Sequence, residues 1–305
     1  MTASVVPASL VVPTIGRIRL LGQLLQSVAA GDPVPAEILI VDQGHDPALG
    51  ELPGRFPGLR ITIVSSDGRH PGLARNEGWR RAAHDTVLGT DDDCIAAPDW
   101  VGRAWEHMQE VPEGLVTGRV MPRGDAVGVP SVKEDPRPHD YTGTIACGVL
   151  FPNNMALSRS SALAIGGFDP RVRPNGSDND LCYRWLRAGL TLRYQPDMVV
   201  WHDDWRTPEQ LEALYVNYAV GQGRFYAKHL RRGDLHMLRF IASDVYQAAR
   251  GVAVGVVRGR PRWSDWRRGI PRGLPAGMLA GWREFGASGR ATGAGGDGPG
   301  PGRQA

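Results

Sequence analysis

The chain has 305 residues, 42% hydrophobic and 22% charged, with 40 glycines and 24 prolines, a composition that fits a turn-rich globular protein long enough for a substantial core. No run of about 18 uncharged apolar residues occurs, which excludes a spanning helix, and the three scattered cysteines Cys94, Cys147 and Cys182 exclude a disulfide framework and a cysteine-rich zinc site. The formal charge of +3 hides an asymmetry: residues 1–230 carry 22 Lys+Arg against 27 Asp+Glu, a net of −5, whereas residues 231–290 carry 12 Arg against 4 acidic residues, a net of +8.

The opening MTASVVPASLVVPT has no basic region and an early Pro7, so no secretory leader is read there and a reduced, cytoplasmic setting is expected. Ser9 to Thr14 reads as a short buried strand. Residues 17–30 follow with Ile18, Leu21, Leu24, Leu25 and Val28 at helical spacing. Glu37 to Asp42 is a second strand closing on a carboxylate, and Arg60 to Ser65 a third. Residues 72–83 read as a helix, and Thr86 to Thr90 as a fourth strand running into Asp91-Asp92-Asp93. Strands alternating with helices predict an α/β fold with a doubly wound, mainly parallel sheet. In such sheets ligands sit beyond the carboxyl ends of the strands. Those ends carry Pro13-Thr14, Asp42, Asp67 and the aspartate triplet.

The stretch 112–150 is rich in glycine and proline and has no clear pattern. Phe151 to Leu157 reads as a strand entering a helix at Ser158. Asp178 opens a helix carrying Leu181, Cys182, Trp185 and Leu186, with Gly189 just past its end. Val199 to Trp201 is a short strand ending at His202. Thr207-Pro208-Glu209-Gln210 has the form of a capped helix start, followed by Leu211, Leu214, Tyr215, Tyr218, Phe225 and Tyr226. From Gly286 onward the chain reads as a disordered tail.

Four groups could carry chemistry. Asp91-Asp92-Asp93 is either a solvated acidic turn or a site for a hard divalent cation, whose oxygen preference suits carboxylates. His202, followed by Asp203 and Asp204, is either structural or a neutral imidazole ligand beside carboxylate. Asp178 is either a helix cap or a general base fixed at a helix end, and Asp180 on the same turn competes for that role. Arg75, within Gly72-Leu73-Ala74-Arg75-Asn76-Glu77-Gly78, is a surface arginine or a phosphate partner at a helix start.

These elements, in this order, resemble family 2 glycosyltransferases of the inverting GT-A type. The resemblance runs over about residues 8–230 and rests on Val11-Val12-Pro13-Thr14, Ile40-Val41-Asp42, the GLARNEG run at 72–78, Asp91-Asp92-Asp93, Asn153-Asn154-Met155-Ala156, Gly166-Gly167-Phe168-Asp169, Ser177-Asp178-Asn179-Asp180-Leu181 and His202. It implies a GT-A (nucleotide-diphospho-sugar transferase) fold with C-terminal helices. The catalytic domain would span 1–230, with a nucleotide-binding half at 1–100 and an acceptor half at 101–230. It implies donor contacts from Pro13, Thr14, Asp42, Arg75, Asp91 and Asp92, a Mg2+ or Mn2+ ion held by Asp93 and His202, and Asp178 as catalytic base. The partners implied are a nucleotide-diphosphate sugar and an acceptor hydroxyl, with no nucleic acid. Two positions depart from the family pattern: Gln43 stands where a second acidic residue is usual after Asp42, and Ser177 where a glutamate usually precedes the catalytic aspartate.

A nucleotidyltransferase on a similar sheet would need a basic, glycine-rich loop after the first strand, which Pro13-Thr14-Ile15-Gly16-Arg17 does not supply. Retention of both the aspartate triplet and Asp178 argues against a non-catalytic sugar-nucleotide-binding protein, an alternative that Ser177 leaves open. Residues 231–285 read as a basic helical extension. Phe240, Ile241, Val245, Ala248, Ala249 and Val252 give it an apolar helical face, with Arg239, Arg250, Trp263, Trp266 and Trp282 around it. That extension is either a lid packed on the catalytic domain or a peripheral attachment to an anionic membrane.

Overall fold

The computed structural model describes residues 3–123, 132–173, 175–203, 207–257 and 266–287. Chain order in the first half is β1 (Val5–Thr14), α1 (Ile18–Ala29), β2 (Val34–Asp42), α2 (Leu52–Arg55), β3 (Ile61–Ser65), α3 (Pro71–Arg81), β4 (Thr86–Thr90), β5 (Cys94–Ala96) and α4 (Trp100–Glu110). The second half runs β6 (Leu115–Arg123), β7 (His139–Asp140), β8 (Asn154–Ser158), α5 (Arg159–Ala164), α6 (Ser177–Arg187), β9 (Leu192–Asp203), α7 (Pro208–Leu230), α8 (His236–Val257) and α9 (Ile270–Ala287).

The strands form a single sheet in the order β3-β2-β1-β4-β8-β6-β9-β5, with β7 paired to β9. β3, β2, β1 and β4 are all parallel, as the strand–helix alternation predicts. β8 then runs antiparallel to both β4 and β6, and β9 pairs parallel with β6. Both sheet faces are covered, which is why β1 reads as a continuous apolar run. Leu10 and Val12 pack toward α1 and α4, while Val11 packs toward α3 and α6.

The sequence leaves 112–150 without elements, and the structure places β6 there. Gly118 and Pro122 make that strand look like loop. Gly118 is required by crowding: a Cβ at this position would lie 2.4 Å from Asn154 Nδ2 and from the Met198 carbonyl oxygen. Ser158 is the N-cap of α5, accepting from the Ser161 amide, rather than its first residue. β9 begins seven residues before the predicted Val199 start. Thr207 and Gln210 form the reciprocal capping box that their spacing predicts. Gly286 and Ala287, expected to begin the disordered tail, instead close α9, while Asp204, Trp263 and the rest of that tail, residues 288–305, lie outside the described residues. Among the described residues no helix is long and apolar enough to cross a membrane.

The C-terminal helices are assembled by glycine. Gly273, Gly277 and Gly281 recur every fourth residue along α9, with Gly269 one step before it. A Cβ on Gly277 would meet the Val220 carbonyl oxygen at 2.0 Å, and one on Gly273 would meet Val216 O at 2.5 Å. Backbone of α9 therefore lies against backbone of α7, an approach that only hydrogen side chains permit. We expect Gly277→Leu to separate the two helices and to cost at least about 2 kcal/mol of stability. An unchanged urea midpoint would refute this contact.

Candidate active site

The strand ends place the site. Thr14 and Asp42 are partners in the β1–β2 register, so the ends of these strands lie side by side. Cys94 and His202 face each other across the β5–β9 pair, which brings Asp93 next to His202. The Asp203 amide donates to the Asp93 carbonyl at 2.9 Å and fixes that junction.

A cleft of about 410 Å³ opens over these ends. Its lining includes Pro13, Thr14, Arg75, Asp91, Asp93, Asp178 and His202. Two predicted donor contacts stand elsewhere. Asp42 is buried and spends its carboxylate on the turn after β2, accepting from the amides of Gly44 at 2.8 Å, His45 at 3.0 Å and Asp46 at 3.1 Å. Asp92 is fully buried behind the cleft, where it accepts from Thr14 Oγ1 at 2.6 Å and from Arg17. Neither lines the cleft: Asp92 holds the lining residues Thr14 and Arg17, and Asp42 fixes the turn at 44–46.

Arg17, with no local sign of a role in the sequence, sits at the centre of the acidic strand end. Its guanidinium bridges Asp92 and Asp93, with Nη1 at 2.8 Å from Asp93 Oδ2. Burial nevertheless pushes the Asp92 carboxyl up to about 6; Arg17 opposes that rise without cancelling it. The signal was one basic residue just past β1, but its carboxylate partners are 75 and 76 residues away in sequence. Asn153 was noted in the sequence only as part of a motif. Both of its side-chain amide atoms are buried without a hydrogen-bond partner, and the residue lines the cleft. It offers one donor and one acceptor to a ligand.

Arg75 sits on α3, which is capped by the His70 side chain accepting from the Leu73 amide. It pairs with Asp91, and its guanidinium lies 5.8 Å from the centre of the Phe168 ring. Asn76, next in sequence, ties α3 to the Gly166–Asp169 turn: Nδ2 donates to Phe168 O at 2.8 Å, and Oδ1 accepts from Phe168 N at 2.9 Å.

Asp178 lies in the first turn of α6, half-buried in the cleft wall. Desolvation raises its pKa against the opposing pull of nearby backbone amides and Arg75. The N-cap of α6 is Gly176 at φ 88°, a left-handed conformation, packed so that a Cβ would lie 2.7 Å from the Gly221 carbonyl carbon of α7. Asp180 points the other way, into the protein, and is fully buried. It accepts from Lys228 at 2.7 Å, His229 at 2.9 Å and Arg184 at 2.8 Å, and Lys228 also reaches Asp169 at 2.9 Å. The two aspartates on one helical turn thus divide between the cleft and the scaffold.

Asp93 Oδ1, Cys94 Sγ and a His202 ring nitrogen lie within 4.8 Å of one another. His202 Nε2 is 3.4 Å from Asp93 Oδ1, and its Nδ1 is buried without a hydrogen-bond partner. Burial pushes the Cys94 thiol well up, so it stays neutral and is a poor ligand for a hard ion. Carboxylate and imidazole together fit a Mn2+-like ion.

Residues 9–157 match the family model "Glycosyl transferase family 2". Just under half of the chain is thus similar to family 2 glycosyltransferases. It is 30% identical over 141 residues to the pre-mycofactocin glycosyltransferase of Mycobacterium tuberculosis, an alignment covering 44% of this chain and 30% of that protein. It is 23% identical over 169 residues to the glucosyl-dolichyl phosphate glucuronosyltransferase of Haloferax volcanii, covering 50% and 52%. The chain therefore spans only a third to a half of these relatives. Among solved structures, the mannosyltransferase PcManGT of Pyrobaculum calidifontis, in complex with GDP-Man and Mn2+, superposes with a TM-score of 0.60 at 18% identity, covering 91% of this chain and 86% of that one. Residues 1–349 of S. aureus TarS with UDP give 0.56 at 17%, covering 93% and 91%. The likeness establishes the GT-A fold expected from the motif order.

The buried ion cluster around Asp180 makes stability pH-dependent. Burial alone would raise this carboxyl, but the His229 hydrogen bond and the charges of Arg184 and Lys228 outweigh it and hold Asp180 well below the ordinary range. Asp169 is held down likewise by Arg171 and Lys228. A depressed folded-state pKa contributes stability above the unfolded value, and that stability is lost as pH falls below about 4. The drop in urea midpoint between pH 7 and pH 3 should be smaller in Asp180→Asn than in wild type. Equal drops would show that the cluster contributes nothing to acid sensitivity.

Proposed function

We propose that this chain transfers a sugar from a nucleotide-diphosphate donor to an acceptor hydroxyl with inversion at the anomeric carbon, using Asp178 as base and a divalent ion at Asp93 and His202. The observation that carries this reading is that Asp178, on a helix N-terminus, opens on the same cleft as the acidic strand end holding Asp93 and His202. The donor complexes of the structural relatives support the nucleotide-sugar part of it.

In this reading Pro13, Thr14 and Arg75 flank the nucleotide, and Asn153 offers polar contacts to the donor. Asp42 and Asp92 act from behind by fixing the turn after β2 and the position of Thr14. Asp93 and His202 would hold Mg2+ or Mn2+, which when bound neutralises charge on the departing diphosphate. Arg17 pairs with Oδ2 of Asp93 while Oδ1 faces His202, so the guanidinium and the ion would draw on different oxygens of the one carboxylate. Asp178 takes the proton of the acceptor hydroxyl as its oxygen attacks the anomeric carbon. The bond from that carbon to the diphosphate oxygen breaks, and the nucleoside diphosphate leaves with the electron pair. One displacement requires no covalent sugar–enzyme intermediate. Ser177, which also lines the cleft, lies beside the base and is placed to contact the acceptor.

A base with a raised pKa holds a proton more tightly, which suits it to accept one during attack. Asp178→Asn should lower kcat by about 10²-fold or more while donor affinity stays near wild type. The wild-type kcat should rise with pH through a value above the usual carboxylate range and then level off. Wild-type turnover in Asp178→Asn would remove this residue from the role. Transfer should be lost in EDTA and return with Mn2+, and full activity in chelator would remove the ion.

A further inference from the structure

Helix α8 is apolar on two sides. The sequence gathers Ile241, Val245, Ala248, Ala249 and Val252 into one face, and the structure divides them. Met237 and Ala248 are buried, with Phe240 and Ile241 packed beside them against Tyr183, Phe225 and Tyr226. Leu238, Val245, Tyr246 and Val252 are 43–63% exposed, and Ala242, Ala249 and Ala253 lie exposed between them. These residues recur at steps of three and four over about four turns and cover roughly a third of the helix circumference. Isolated exposed apolar residues need no explanation, but a continuous stripe does.

Among the described residues, the exposed charges around the stripe are all of one sign. Exposed Arg239 and Arg250 run along one edge of it, and exposed Arg231 and Arg232 lie just before the helix. The described carboxylates of this segment turn inward. Asp234 accepts from the Tyr183 hydroxyl, and Asp244 accepts from Tyr226 at 2.5 Å. Glu284 on α9 is paired with Arg224 of α7. Trp282, 48% exposed on α9, lies under the Arg231 guanidinium at 4.7 Å. A second copy laid symmetrically on this stripe would bring arginine rows together without a described carboxylate between them, which costs free energy. A surface that is apolar below and anionic at its boundary satisfies both features, because arginine keeps its head at the boundary while its stem lies along apolar surface.

We propose that the outer face of α8 is a docking surface for an anionic lipid bilayer, with Leu238, Val245, Tyr246 and Val252 entering the headgroup boundary and Arg239 and Arg250 pairing with lipid phosphates. This depends on neither the donor nor the base assigned above. It gives the basic segment a specific binding face in addition to the lid contact that α9 makes with α7.

The test is co-sedimentation of the full chain with vesicles of phosphatidylcholine alone and of phosphatidylcholine with phosphatidylglycerol. Wild type should partition onto the anionic vesicles, more weakly at high salt and least onto the neutral ones. Leu238→Ser/Val245→Ser/Val252→Ser should weaken partition by at least about tenfold, and Arg239→Gln/Arg250→Gln should remove much of its salt dependence. The substituted side chains are all exposed, and an unchanged thermal melt confirms that the variants are folded. Absence of binding by wild type, or equal binding by the triple-serine variant, overturns the proposal. So does a wild-type dimer in sedimentation velocity that the serine variant dissolves, because the stripe would then be covered by a second copy.

Discussion

A carboxylate taken out of water must find positive charge or amide hydrogens, or give up its own charge. Most of the site's layout follows from how each aspartate meets that demand. Asp42 uses three backbone amides, and in doing so shapes the turn after β2. Asp92 and Asp93 share one guanidinium, Asp91 has another, and Asp180 has a lysine, a histidine and an arginine. Asp178 is held at the start of α6, where helix amides favour negative charge without saturating the carboxylate. It is also the one to which the proposed reaction assigns a proton.

The Asp180 cluster shows why position on a helical turn decides function. Residues 178 and 180 are two apart and cannot face the same way. One therefore looks into the cleft, and the other anchors α6 to Lys228 and His229 on α7 and, through Lys228, to Asp169. Asn179 between them donates to Gln222 at 2.6 Å, and Gln222 donates to Tyr226 at 2.8 Å. The helix that carries the proposed base is thus fixed by buried polar contacts on its far side. Lateral movement of Asp178 would break ion pairs that are costly to leave unmatched.

The first four strands, several helix starts and the lining residues Pro13, Thr14, Arg75, Asp91, Asp93, Asp178 and His202 were legible because they obey local rules: apolar runs closing on polar residues, a Thr-Pro-x-Gln cap, an acidic first turn. What escaped was set by distant partners. Asp42 and Asp92 look like ligand contacts from their place at strand ends, and only coordinates reveal that amides and Arg17 already engage them. Arg17 itself gives no local sign of its role. β6 was hidden by Gly118, a residue chosen for crowding against Asn154 and Met198 and so indistinguishable in sequence from a loop glycine. The two apolar sides of α8 merge into one in a sequence pattern, since periodicity reports which residues are apolar and not what covers them.

The spacing of Gly269, Gly273, Gly277 and Gly281 has an implication for how this region can vary. Where side chains interdigitate, a change on one helix can be absorbed by a reciprocal change on its neighbour. Where main chain rests on main chain there is no side-chain volume to trade, so drift at these four points has almost nowhere to go. The stretch that composition alone would dismiss as low in information is among the least replaceable parts of the molecule.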